Sequence, residues 1–337
     1  MKTNKIISLL AAATLGVSAF TGCGASTENN SSVDNTNSDN TISVVTTIFP
    51  EYDWVKEIVG ANGNVDITML LDNGVDLHNY QPTAEDIMKI ATCDVFIYVG
   101  GESDEWVEDA LSEATNKDMQ VVNLLDVLGS SVKEEEVVEG MMAEEEEEAE
   151  AEEGEAEEVE YDEHVWLSLK NAQVLVDAIE QAIATVDADT SDTYAANAAA
   201  YIEELAALDE KYQAAIDEAS VKTVLFGDRF PFRYLVDDYG IDYYAAFVGC
   251  SAETEASFET VTFLAGKVDE LNLNTVFTIE NSDQKIAKTI IENTAAKDAQ
   301  ILTLDSMQST TSEDVAAGVT YLSVMEGNLD ILSQGLN

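Results

Sequence analysis

The stretch ISVVTTIFPEYDWVKEIVGANGNVDITMLL, residues 42–71, decides the fold. Its first eight residues are mostly β-branched and apolar, and they predict a buried strand. Residues 51–60 return apolar side chains to one face at helical spacing, which predicts an amphipathic helix. Residues 65–71 are again apolar and predict a second strand. A strand, a helix and a second strand in this order are typical of a parallel α/β sheet.

The alternation of strands and helices continues along the chain. Further strands are predicted at 94–100, 119–125, 222–227, 243–248, 275–279 and 299–304. Further helices are predicted at 83–91, 104–115, 168–186, 192–219, 230–239, 257–271, 283–294 and 313–334. The helix at 192–219 would be about 42 Å long, enough to bridge two lobes. We therefore predict an α/β protein of two lobes, each a mainly parallel β-sheet flanked by helices, joined by one long linker helix.

This pattern predicts an N-terminal lobe at 42–190, the linker helix at 191–219 and a C-terminal lobe at 220–337. Within the first lobe, the segment 134–163 holds 18 acidic residues and no basic residue, so we expect an acidic, mobile surface loop. The whole chain has 67 acidic and 15 basic residues. This balance excludes a nucleic-acid-binding surface, because phosphate recognition needs clustered lysine and arginine.

The N-terminus has the pattern of a targeting segment. Lys2 and Lys5 precede an apolar run at 6–20 that is too short for a comfortable membrane span. Residues 1–22 are therefore predicted to be a lipoprotein signal peptide. Cys23 would be acylated and become the mature N-terminus, and the polar residues that follow it, up to 41, would form a flexible tether. We expect the folded part to lie outside the cytoplasm, anchored to the cell membrane by the N-terminal lipid.

The chain has only two histidines, and both lie in settings that suit a metal ion. His78 lies in the loop DNGVDLHNYQPTAEDIMKI between a predicted strand and a predicted helix, and such strand-end loops line the ligand crevice of parallel sheets. His164 lies in YDEHVWLSL, directly after the acidic segment. Neutral imidazoles beside carboxylates are good ligands for Zn²⁺ or Mn²⁺. Cys93 and Cys250 are expected to be poor metal-site candidates, because neither lies in a paired motif.

These segments resemble the bacterial ABC-transporter substrate-binding lipoproteins that capture zinc or manganese, the TroA-like metal-binding family. DLHNYQPTAEDIMKIATCDVFIYVGG resembles the segment with the family's first ligand, and YDEHVWLSLKNA resembles its Asp-Pro-His-Val-Trp-Leu motif, with Glu163 in place of the proline. Tyr194 and Asn197 resemble the start of the linker helix. FPFRYLVDDYGI, SAETEASFETV and FTIENSDQKIAKTI resemble successive segments of the second lobe. The resemblance covers about residues 42–335.

The resemblance implies a metal site with two ligands from each lobe. His78 and His164 correspond to the ligands of the first lobe. The third ligand is commonly a histidine, but Arg229 stands at that place, and arginine has no free lone pair for a metal. Adjacent Asp228 is the best substitute; alternatively, Arg229 pairs with a carboxylate and the site has only three protein ligands. Asp228 could equally be a turn or N-cap residue.

The fourth ligand implied by the resemblance is an acid after the strand at 275–279. Glu280 matches best, and Asp283 is the alternative, although Asp283 could also cap the next helix. Neither acid is distinguished by its residue type alone, since an exposed carboxylate at the end of a strand is common.

The resemblance implies a lipid-anchored receptor that holds Zn²⁺, or alternatively Mn²⁺, and delivers it to an ABC permease and its ATPase. We expect the protein to be a monomer. We also expect that it is not an enzyme, because no G-x-S-x-G, H-E-x-x-H or Gly-rich phosphate motif occurs in the sequence. Two alternatives stay open. The same histidines and acids could hold a catalytic metal in an extracytoplasmic metallohydrolase. The change to Arg229 could instead adapt the cleft to another ligand.

Overall fold

The computed structural model describes residues 41–142, 160–251 and 255–337. The predicted signal peptide, Cys23, nearly all of the tether and the most acidic run, 144–158, lie outside these residues. The described strands are β1 (Ile42–Thr46), β2 (Val65–Met69), β3 (Val95–Tyr98), β4 (Gln120–Asn123), β5 (Thr223–Phe230), β6 (Asp242–Val248), β7 (Thr275–Ile279) and β8 (Gln300–Leu304). The described helices are α1 (Phe49–Val59), α2 (Ala84–Thr92), α3 (Trp106–Ser112), α4 (Leu124–Leu128), α5 (Leu169–Val186), α6 (Ser191–Glu218), α7 (Arg233–Tyr239), α8 (Phe258–Leu271), α9 (Lys285–Asn293), α10 (Ser312–Ala316) and α11 (Tyr321–Gly335).

The strands form two four-stranded sheets with the same topology. The strand order is β2-β1-β3-β4 in the first sheet and β6-β5-β7-β8 in the second, and every pair of neighbours is parallel. Parallel sheets need helices on their faces, and the alternating helices supply them. The predicted fold class, two α/β lobes with mainly parallel sheets, is confirmed. In both sheets, the loops after the strands lie at the carboxyl edge, where ligands bind in this type of fold.

The long helix α6 contacts helices of both halves of the chain. Near its start, the Asn197 side chain donates to the carbonyl of Ile58 in α1 at 2.9 Å. Near its end, the Tyr212 hydroxyl donates to the carbonyl of Met325 in α11 at 2.6 Å. Its buried residues recur every three or four positions, as the sequence pattern predicts. These contacts fix one end of α6 to each half of the fold, so it is well placed to restrict relative movement.

Two predicted helix boundaries in the second half are wrong. The predicted helix 313–334 is two helices, α10 and α11, because Gly318 has a φ of +98° and ends the first. A new start follows at Thr320, whose hydroxyl accepts the Ser323 amide at 3.1 Å. Helix α7 begins at Arg233 rather than at residue 230, because β5 continues to Phe230 past an irregularity in its pairing with β6.

The described ends of the acidic segment are ordered against the rest of the fold. The Glu135 amide donates to the carbonyl of Glu160 at 3.0 Å, which joins the two ends to each other. The Met142 amide donates to the carbonyl of Ala246 in β6 at 3.0 Å. Asp162 and Glu163 are buried. The ends of the segment therefore belong to the folded body and position the residues next to His164.

None of the helices in the described ranges is both long enough and apolar enough to cross a membrane.

Candidate metal centre

His78 lies in a short 3₁₀ turn, Leu77–Asn79, in the loop that follows β2. The Asp76 side chain begins the turn by accepting the His78 amide at 3.1 Å. The imidazole is almost fully buried, with 7% of its side chain exposed. Its Nδ1 lies 2.8 Å from the Ser103 hydroxyl and 3.5 Å from the Glu163 carboxylate. The loop after β3, which carries Ser103, thus fixes the orientation of the ring.

His164 is completely buried and precedes the turn that leads into α5. The Asp162 carboxylate accepts the His164 amide at 2.9 Å and lies 3.0 Å from Nδ1 of the ring. The ring also packs near the Trp166 indole, with 5.3 Å between the ring centres. The carboxylate and the indole together hold the imidazole in place, with Nε2 facing His78.

The two imidazoles point their Nε2 atoms at each other across 3.2 Å. In each ring, Nδ1 lies within hydrogen-bond distance of an oxygen, the Ser103 hydroxyl for His78 and the Asp162 carboxylate for His164. A ring nitrogen that donates a proton in this way leaves the lone pair on the other nitrogen. With Nδ1 as the donor in each ring, both lone pairs lie on the facing Nε2 atoms, which is the tautomer that a shared metal ion requires.

The pKa values of the two histidines shift in opposite directions. Burial lowers the pKa of His78 to about 3, and the neighbouring His164 contributes to this shift. Burial would also lower the pKa of His164, but the Asp162 carboxylate outweighs it, and the pKa of His164 is raised. His164 therefore takes up a proton more readily than an ordinary histidine, and His78 takes one up less readily.

Cys250 brings a third donor atom to the same point. It follows β6, and its sulfur and one ring nitrogen of each histidine all lie within 4.8 Å of one another. The residue before it, Gly249, allows this approach, because a Cβ there would lie 2.9 Å from the His164 ring. Burial raises the pKa of the Cys250 thiol well above its usual value, and the charges of Asp162 and Glu163 add to this shift. The sequence predicts that Cys250 is a poor metal-site candidate, yet the structure places its sulfur beside both histidines.

The predicted acidic ligands lie outside this three-residue group within the described part of the chain. Glu280 follows β7, where its carboxylate accepts the amide and hydroxyl of Ser306, both at 2.7 Å. Asp228 lies within β5, and burial raises its pKa against the opposing hydrogen bond from Ser282. Asp283 is exposed and accepts the amide of Lys285 at the start of α9. Ligand roles for the three acids stay predictions. Glu280 directly follows β7 and so lies at the carboxyl edge of the second sheet, where ligands bind in this type of fold.

Arg229 forms an ion pair with Asp76, the residue that begins the His78 turn. Burial raises the pKa of Asp76, but the guanidinium outweighs burial and the net pKa is lowered. This is one of the two arrangements that the sequence left open: Arg229 pairs with a carboxylate. The ion pair joins β5 of the second sheet to the loop after β2 of the first, directly beside the histidines.

Cys250 could have been found from the sequence by the same rule that found His78. Both residues follow a strand of a parallel sheet, and strand ends meet at one edge. A search for paired cysteine motifs overlooks Cys250, because such motifs mark sites whose ligands lie close together in the sequence. The three atoms that could share a metal ion belong to residues 78, 164 and 250, which only the tertiary structure brings together.

The fold has two parallel sheets of identical strand order and a long helix that contacts both halves. A buried cluster of side chains that could bind a metal ion lies beside them. These features define a two-lobed α/β protein of the metal-binding type. The comparisons with known proteins specify the family. The chain belongs to the ZnuA family, described as zinc-uptake complex component A, periplasmic, which it matches over residues 44–335.

Relatives and solved structures agree with this assignment. The chain is 33% identical over 299 residues to the zinc-binding lipoprotein AdcA of Streptococcus pneumoniae, covering 88% of this chain and 56% of AdcA. It therefore spans about half the length of that relative. It is 32% identical to the high-affinity zinc uptake system protein ZnuA of Bacillus subtilis, covering 87% of each chain. The Zn(II)-bound ZnuA-like domain of S. pneumoniae AdcA has a TM-score of 0.67 at 28% identity, covering 88% of this chain and 99% of that domain.

Proposed function

We propose that this protein captures Zn²⁺ outside the cytoplasm and delivers it to an ABC permease and its ATPase. The observation that carries the proposal is the pair of opposed Nε2 atoms 3.2 Å apart. Tetrahedral Zn²⁺ with bonds of about 2.0–2.1 Å holds two ligand nitrogens about 3.3 Å apart. The distance between the two Nε2 atoms therefore matches the distance between two nitrogen ligands of one zinc ion.

Zinc is favoured over manganese by the donor atoms. Imidazole suits Zn²⁺, whereas Mn²⁺ prefers carboxylate, carbonyl and water oxygens. The predicted acids would add oxygen ligands, so manganese remains the alternative cargo. The names of the relatives point to zinc, since AdcA is called zinc-binding and the B. subtilis ZnuA is called a zinc uptake protein.

The proposed delivery and anchoring rest on the sequence and on the relatives. Cys23 follows the pattern of a lipidated cysteine, and the AdcA relative is called a lipoprotein. The ZnuA family is described as a component of a zinc-uptake complex, which implies a membrane partner. We propose that the lipid on Cys23 anchors a monomer, and that docking on the permease separates ligands contributed by the two halves of the fold.

An extracytoplasmic metallohydrolase is the second candidate, and the burial of the site argues against it. A catalytic zinc keeps one position open for water and substrate. His164 is completely buried and His78 nearly so. The Ser103 hydroxyl and the Asp162 carboxylate already occupy their Nδ1 sides. Such a site suits storage of an ion during transport better than turnover of a substrate.

The test is a calorimetric titration of the chelator-stripped full chain with Zn²⁺ and with Mn²⁺. We expect one tightly bound Zn²⁺ per chain and weaker Mn²⁺. The purified zinc-loaded protein should leave ester, amide and phosphate probes intact. Hydrolysis that depends on both histidines would support the metallohydrolase instead. Absence of any one-to-one site for either metal would turn the search to another ligand.

Zinc affinity is expected to fall as the pH is lowered from 7.5 to 5. The pKa of His164 is raised, so this ring takes up a competing proton nearer to neutral pH than an ordinary histidine does. The pKa of His78, about 3, adds no competition in this range. The proton displaced from His164 contributes about a tenfold loss per pH unit below its pKa, in addition to any proton that another ligand releases on binding. Titrations at several pH values measure this slope, and an affinity that is flat down to pH 5 would contradict it.

A further inference from the structure

The second half of the fold lacks the histidine that the family resemblance would supply, because Arg229 stands at its place. Arg229 cannot bind a metal ion, because its guanidinium has no free lone pair. It forms an ion pair with Asp76 instead. The adjacent Asp228 is engaged by Ser282 and by the amide of Arg229. A metal held by His78 and His164 therefore needs another donor from this half.

Cys250 is in position to be that donor. The loop after β6 places its sulfur against both imidazoles, and Gly249 has no side chain to hold the loop away. The Cys250 amide lies 3.4 Å from the Glu135 carboxylate, and the Glu163 amide hydrogen-bonds to the thiol. These contacts tie the loop to the two ends of the acidic segment, so Cys250 and His164 are held by the same local framework.

We propose that Cys250, as a thiolate, is a direct ligand of the captured ion and replaces the missing histidine in a His78, His164 and Cys250 set. The inference rests on the proposed function, since it concerns the same site. When the dication binds, a metal–sulfur bond forms and the thiol proton leaves to the solvent; no redox change occurs. A metal-bound thiol is deprotonated even where burial disfavours the free thiolate.

A thiolate changes which ions the site accepts. Two nitrogens and one sulfur form a borderline-to-soft donor set, which suits Zn²⁺ and Cd²⁺ and disfavours the hard ion Mn²⁺. Three protein donors leave one tetrahedral position, which Glu280 or a water molecule could fill. The sulfur thus converts a site whose family resemblance allows zinc or manganese into one that rejects manganese.

Cobalt spectroscopy tests the ligand directly. Co²⁺ replaces Zn²⁺ in tetrahedral sites and shows an intense thiolate-to-metal charge-transfer band only when sulfur is bound. The sample is the full chain carrying Cys23→Ser, so that only Cys93 and Cys250 remain as thiols. We expect the band in this protein and in its Cys93→Ser control, because Cys93 is buried in the first half of the fold. Cys250→Ser should lose the band and bind Zn²⁺ at least about tenfold more weakly.

The outcomes separate the inference from the proposed function. If Zn²⁺ binds one-to-one through the histidines but the cobalt complex lacks the charge-transfer band, Cys250 is not a ligand and the inference is overturned. If the stripped protein binds no Zn²⁺ at all, the proposed function itself fails. The spectrum of the protein with Cys250 intact decides the question even if Cys250→Ser folds poorly, and circular dichroism checks the folding of each variant.

Discussion

Replacing His78 and His164 together by alanine is expected to abolish one-to-one zinc binding. Each ring supplies one of the two facing Nε2 atoms. Without both rings, too few ligand atoms remain to hold the ion. Loss of a residue that only supports a ligand costs about 10- to 100-fold in metal affinity, so loss of a ligand itself should exceed about 100-fold. The double variant should show no binding in a micromolar titration. Calorimetry on the chelator-stripped protein measures the loss.

The controls separate the histidine pair from the acidic residues of the chain. Asp283→Asn tests the alternative fourth ligand: zinc affinity should stay within about twofold if Glu280 is the ligand, because the Asp283 carboxylate is exposed and already accepts the amide of Lys285. Glu280→Gln should weaken binding if Glu280 is the fourth ligand. If deletion of 143–159 removes all metal binding and the double histidine variant removes none, the acidic run alone binds metal and the proposed site is wrong.

The fold could be predicted largely from local patterns. Buried parallel strands are runs of β-branched residues, and the long helix α6 repeats buried positions every three to four residues, so both are visible in the sequence. The two errors have different causes, a single residue that ends a helix and a strand that tertiary pairing extends. Gly318 divides the last predicted helix, yet a glycine in an apolar helical pattern does not by itself reveal a positive φ. The extension of β5 to Phe230 depends on pairing with β6, which is a tertiary contact.

The site could be predicted only in part. His78 and His164 stand out as the two histidines of the sequence, and the structure brings their rings together. Their supporting partners, Ser103 and Asp162, are ordinary polar residues until the fold places them beside Nδ1. Cys250 follows a strand of a parallel sheet, as His78 does, but this signal marks it only as a strand-end residue. The structure is needed to show that it lies beside both histidines, which are themselves 86 residues apart.

Replacing Trp166 by alanine is expected to destabilise the metal-free protein by about 3–5 kcal/mol. The side chain is completely buried. Its indole donates to the carbonyl of Ser306 at 2.8 Å, and its own carbonyl accepts the hydroxyl of Tyr321 at 2.6 Å. Removing the ring would leave a cavity behind His164 and a buried carbonyl without its donor. Urea unfolding of the stripped protein measures the change.

Two comparisons make the Trp166 result specific. Trp106→Ala removes an indole that is only partly buried, so it should cost less than Trp166→Ala. Trp166→Phe keeps the ring but loses the bond to Ser306, which should cost about 1–3 kcal/mol. Zinc at one fixed concentration, about 100 times the Kd of the unaltered protein, should add about 2.7 kcal/mol to each variant whose zinc affinity is unchanged. If zinc stabilises Trp166→Phe as much as the unaltered protein, Trp166 supports the fold around His164 without setting the metal affinity; a selective loss of zinc stabilisation would show instead that the indole holds the ring in its binding orientation.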